Sequence, residues 1–162
     1  MPLARRRTRF SLGVIGVLSL AFGSFAFAQG PAPGLGTWTL NVAKSKYSPG
    51  PTPKSGTVTF SAVGQAVKAV VDGVSDTAKT HWEYTATLDG KPAPVTGNPD
   101  GDMVVAKRIN ATTIETSYTL KGKPTTVNTR VVSADGKTMT ITTTGVNGQG
   151  QKVNNVQVFE RK

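Results

Sequence analysis

From residue 36 onward the chain alternates apolar and polar side chains with a period of two. Trp38, Leu40 and Val42 alternate with Thr37, Thr39 and Asn41, and Val58, Phe60 and Ala62 alternate with threonines and a serine. After Gly64-Gln65 come Val67, Ala69 and Val71; then Trp82, Tyr84, Ala86 and Leu88 share one face against His81, Glu83, Thr85 and Thr87. This period predicts strands with one wet and one buried face. Five further β-rich runs cover 103–109, 113–120, 125–133, 138–144 and 152–160. Their connections are too short to hold a crossover helix, so consecutive strands must pair antiparallel.

The breakers agree with this reading. Asp89-Gly90 suits a tight turn because both residues tolerate positive φ. Pro92 and Pro94 confine the next segment to an edge or a loop. Pro49, Pro51 and Pro53 forbid a helix across the long loop 43–56. The pattern therefore predicts about nine strands and no helix after residue 36. Left open, such a sheet has two bare edges and an uncovered apolar face. Closure removes both problems, so the expected fold is an all-β, antiparallel up-and-down barrel of about eight to ten strands. A two-sheet sandwich is the competitor, and its Greek-key crossings need longer connections than the second half of the chain offers.

Composition changes this picture mainly at the N-terminus. Arg5-Arg6-Arg7-Thr8-Arg9 precedes an uncharged apolar run over 10–27, and Ala26-Phe27-Ala28 supplies the small-x-small pattern of a cleavage site. Residues 1–28 read as a secretory signal peptide, with an uncleaved anchor as the alternative. Residues 29–35, rich in Gly and Pro, read as a flexible leader, and 36–162 as one barrel domain. The expected location is periplasmic or secreted after cleavage near Ala28. Cleavage removes four arginines and no acid, lowering the formal charge from +10 to +6. The remaining cations are scattered, without a basic run interleaved with aromatics, so no nucleic-acid partner is expected. Weak electrostatic association with an anionic envelope is the most that charge suggests. With no cysteine there is no disulfide, and the core must hold an expected monomer together alone.

Gly36-Thr37-Trp38 resembles the Gly-x-Trp signature of lipocalins, and the span from there to Val158-Phe159-Glu160-Arg161-Lys162 is similar to the calycin group that joins lipocalins and fatty-acid-binding proteins. In that group a basic residue of the last strand covers the tryptophan at the closed end. The resemblance thus makes Gly36, Trp38 and Arg161 a structural anchor, with Lys162 second choice for the cover. The Arg-x-Tyr pair with which fatty-acid-binding proteins hold a carboxylate is matched here by Gln157-Val158-Phe159, which has neither charge nor phenol. The helical lid of that group has no counterpart in the proline-rich loop. Arg130 lies near where another interior arginine of that group falls; its neighbours leave it either facing the pocket or exposed on a strand.

Strand parity places Trp38, Leu40, Phe60, Val71, Trp82, Tyr84, Met103, Val105, Ile114, Tyr118, Val127, Met139, Ile141 and Phe159 inside. Thr116, Thr129, Thr143, Asn155 and Gln157 fall on the same faces. The candidate pocket residues are Phe60, Trp82, Tyr84, Met103, Tyr118, Thr129, Arg130, Gln157 and Phe159. An apolar cavity with a few polar groups suits a small apolar or amphipathic ligand. A small barrel also fills with its own side chains, which leaves an envelope-associated structural protein with a cationic surface as the alternative. Enzymatic activity is not expected. The single histidine, His81, faces outward by parity, and without a cysteine neither a zinc site nor a thiol nucleophile suggests itself. Asn98, Asp100 and Asp102 lack the spacing of a calcium loop and read as an Asx-rich turn. No cofactor or metal is expected.

Overall fold

The computed structural model describes residues 30–162, and the signal-peptide reading of 1–28 lies outside them. Ten strands form the domain: β1 (Gly36–Leu40), β2 (Ser55–Val63), β3 (Ala66–Val74), β4 (Lys79–Thr87), β5 (Asp89–Thr96), β6 (Met103–Arg108), β7 (Thr113–Leu120), β8 (Lys123–Val132), β9 (Thr138–Val146) and β10 (Lys152–Arg161). Each pairs antiparallel with its sequence neighbour, and β10 returns to β1, so the sheet closes into an up-and-down barrel. Closure runs through Trp38 opposite Arg161, Thr39 opposite Glu160 and Leu40 opposite Phe159. The architecture is the closed all-β barrel expected from the alternation, and it is compatible with a calycin-like fold.

The strand beyond the nine expected is the proline segment, β5. Val95 donates its N–H to the Asp102 carbonyl at 2.9 Å, on the β6 side. Successive backbone N–H groups point to opposite sides of a strand, so the nitrogens of Pro92 and Pro94 point toward β4. There the β4–β5 ladder holds only two register pairs, Glu83 with Thr96 and Tyr84 with Val95. Proline is tolerated inside the closed sheet because it occupies the seam where few bonds are made. The only regular helical turn among the described residues is a 3-10 turn, Val42–Lys44, capped by the Asn41 side chain, which accepts from the Lys44 N–H at 3.1 Å.

The floor is built around Trp38, which has no exposed surface. Its indole N–H donates to the Gly34 carbonyl at 2.8 Å, and the Arg161 guanidinium lies 4.3 Å from the ring centroid. Arg161 is itself fixed by the carbonyls of Gly136 and Leu35, both at 2.8 Å. Gly36 adopts φ +119°, and a Cβ there would stand 2.8 Å from Arg161 Nη1, so the glycine gives the arginine room to cross. Lys162 pairs through its backbone N–H with Thr37. The segment before β1 lies against the barrel. Arg108 donates to the carbonyls of Gly30 at 2.6 Å and Pro31 at 3.1 Å, and Ala32 and Leu35 pack on the core.

Two strands turn the opposite way from the parity expected of them. On β6, Val104 and Ala106 are buried, which places Met103 and Val105 on the outer face. On β8, Thr126, Arg130 and Val132 are buried, so Val127 and Thr129 face outward, and Val131 is 41% exposed. Apolar content favours Val127 and Val131 inside, but register with β7 and β9 fixes the pleat and overrides it.

Candidate functional site: an internal cavity

At the end opposite Trp38 the barrel encloses a cavity of about 200 Å³. Its rim carries Tyr47 and Pro53 from the loop between β1 and β2, together with Ser55, Gly56, Gly73 and Thr80 from the strand ends. One wall is aromatic. Trp82 and Tyr84 stack with centroids 6.2 Å apart, and Tyr118 meets both edge-on at 6.0 and 6.4 Å. The three come together because Trp82 and Tyr84 are two residues apart on β4, while β7 sends Tyr118 inward from another part of the sheet.

Arg130 stands in this apolar surround. Its register partners on the neighbouring strands are Ile114 and Ile141, and its guanidinium lies 3.7 Å from the Phe60 ring centroid. The residue is 6% exposed, and among the described residues its Nε and Nη1 have no hydrogen-bond partner. Two residues away on the same face, Asn128 Oδ1 is also buried without a partner. Burial lowers the Arg130 pKa. A guanidinium ionises so far above neutrality that the side chain nevertheless keeps its charge. Burial also pushes the Tyr84 hydroxyl up and holds the Tyr118 hydroxyl well above the usual tyrosine range; the Arg130 charge opposes both shifts. The ion pairs among the described residues lie on the surface, and none involves Arg130. Stacking on Phe60 offsets only part of the cost of burying the charge.

The mouth is crossed by the loop between β1 and β2, which is tied to β10 along its first half. Lys46 and Val156 exchange backbone bonds of 2.8 Å, Ser48 N–H donates to Asn155 Oδ1 at 2.9 Å, and Asn154 N–H donates to the Ser48 carbonyl at 2.8 Å. Between them Gln157 donates from Nε2 to the Tyr47 hydroxyl at 2.9 Å. The polar end of Tyr47 is thus fixed over the cavity, and burial raises its pKa against the opposing Gln157 bond.

Of the residues expected to line a pocket, Phe60, Trp82, Tyr84, Tyr118, Arg130, Gln157 and Phe159 do so. Met103 and Thr129 do not, for the parity reason given above, and they face outward. Gly36, Trp38 and Arg161 meet at the floor, away from the cavity. Sequence reasoning missed Tyr47, which sits in a loop without periodicity, and Asn128, which has the parity of Arg130. Taking Arg130 as inward would have brought Asn128 with it. His81 is on the outer face, its Nδ1 2.7 Å from Asp72 Oδ1. In the 98–102 turn, Asn98 Oδ1 accepts from Asp100 N–H, Asp100 Oδ1 from Gly148 N–H, and Asp102 Oδ2 from Lys121 N–H. Those side chains are engaged in holding turns together. A second hollow, of about 420 Å³, lies outside the barrel between the segment at Gly30 and the β2–β3 turn. Although it is larger, its one cation, Arg108, is already satisfied by backbone carbonyls. The internal cavity is the better candidate because its buried charge is not.

Compared with models of known protein families and with curated proteins, the chain matches none.

Proposed function

We propose that this protein is an exported, lipocalin-like carrier that retains a small amphipathic molecule inside its barrel, with an acidic group of the ligand set against Arg130. The observation that carries this reading is a guanidinium buried beside a cavity and stacked on Phe60, with two nitrogens unpaired and no ion pair among the described residues. A buried, unpartnered cation is destabilising on its own, and an anion arriving through the cavity supplies what the fold leaves out. Trp82, Tyr84 and Tyr118 offer the ligand's apolar part a surface to cover. A barrel that works only through its exterior gives no reason for placing an arginine among Ile114, Ile141 and Phe60. The reading is of binding without turnover, in the periplasm or outside the cell.

The test is calorimetric titration of the protein with octanoate and with octan-1-ol, repeated on Arg130→Met. The acid should bind at least tenfold tighter than the alcohol, and the variant should erase that preference, since a hydrogen bond to a charged group contributes about 1.5–3 kcal/mol. Equal affinity for acid and alcohol in the unaltered protein would refute the assignment.

A further inference from the structure

The geometry points to Tyr47 as the residue that limits ligand length, and to a compact acid of about octanoate size, rather than a long-chain lipid, as the ligand class. This inference rests on the proposed binding function and specifies its substrate. Three observations carry it. First, the cavity measures about 200 Å³. That is below the ~300–1,000 Å³ of sites that enclose drug-sized ligands, which leaves room for a compact molecule and not for a long chain. Secondly, the cavity cannot extend downward, because Trp38 and Arg161 seal the floor. Thirdly, its upper limit is a tethered side chain. Tyr47 lies on the rim with its hydroxyl held by Gln157 at 2.9 Å, and backbone bonds fix the residues on either side, Lys46 and Ser48, to β10. A tail longer than the cavity must either remain in water or displace Tyr47 at the expense of the Gln157 bond.

This predicts a break in how affinity depends on chain length. Each methylene buried in the cavity tightens binding by about fourfold, on the usual transfer value. Once the cavity is full, further methylenes add nothing. The experiment is calorimetric titration of the full chain with butanoate, hexanoate, octanoate, decanoate and palmitate, alongside octan-1-ol as the uncharged control. Affinity should climb steeply to about octanoate and then level off or fall, so that palmitate binds no tighter than decanoate. In Tyr47→Ala the plateau should move outward, with decanoate and palmitate gaining at least tenfold relative to octanoate. Gln157→Leu, which keeps the ring but cuts its tether, should shift the plateau in the same direction and by less. Should Tyr47→Ala fail to fold, the unaltered protein's series and Gln157→Leu still decide the matter. Affinity that keeps rising through palmitate in the unaltered protein would overturn the inference, as would an unmoved plateau in the variants. Those failures differ from failure of the function itself, in which octan-1-ol binds as well as octanoate or none of the acids binds.

Discussion

Arg130 and Trp38 are both large side chains in the interior, and the barrel treats them oppositely. Trp38 is fully satisfied: its N–H has the Gly34 carbonyl, and its face has Arg161. Trp38→Ala should therefore lower stability by about 3–5 kcal/mol in denaturant unfolding, the scale for truncating a packed aromatic. Arg130 has Phe60 and no hydrogen bond for Nε or Nη1. Arg130→Met should raise the melting temperature while abolishing the preference for an acid, because a hydrophobic residue of similar volume removes an uncompensated buried charge. A drop in melting temperature would mark the arginine as structural. The buried tyrosines make a third prediction. The folded state raises the pKa of Tyr84 and, further, that of Tyr118, above the unfolded value near 10. The folded protein therefore keeps these protons where the unfolded chain releases them. The associated stability is complete below pH ~10 and drains away as pH climbs past it. Melting temperature followed from pH 9 to 12 should fall along that range, and less steeply in Tyr118→Phe.

Among the elements, β5 and β8 depart most from their sequence pattern, and each has a different cause. The prolines of β5 read as an edge, and in a closed barrel the equivalent of an edge is the two-pair seam against β4. Native-state hydrogen exchange should find the amides along this seam, such as those near Glu83, opening at lower free energy than those of β9 and β10, which share nine register pairs. Uniform protection around the barrel would contradict the picture of a weak seam. On β8 the hydrophobic period points one way and the pleat the other. The strand directs Asn128 and Arg130 inward and leaves Val131 in water. A strand that sacrifices apolar burial to place polar groups in a core is where local rules give way to a site.

For the molecule as a whole, closure is the step on which the rest depends. The contact between β1 and β10 is short, with three register pairs, yet the same residues seal the floor through Trp38, Phe159 and Arg161. A chain ending at Val158 loses both, so it should lack the cooperative thermal transition of the full chain in circular dichroism. A truncated chain that still melts sharply would show that the β1–β10 contact is dispensable. The closed form also explains why the cavity lies toward one end of the barrel. The floor is filled by Trp38 and Met139, both without exposed surface, and the cavity lies at the end crossed by the Tyr47 loop.

The class of fold was legible in the amino-acid sequence because a period of two, short connections and turn residues are local properties, and so few ways exist to join such strands. Gly36, Trp38 and Arg161 were legible through the resemblance to lipocalins, carried by the Gly-x-Trp at one end of the domain and a cation at the other. What remained hidden depends on register between strands far apart in the chain. A shift of one residue exchanges the two faces of a strand, so parity read along each strand alone placed Met103 and Thr129 inward, while their neighbours across the sheet turn them out. The same register buries Arg130 and Asn128. The position of Tyr47 is more distant still from any local signal, since it is set by the bonds its loop makes with β10. Local chemistry determined that the chain would form a barrel; only the closed sheet decided which side chains its cavity would hold.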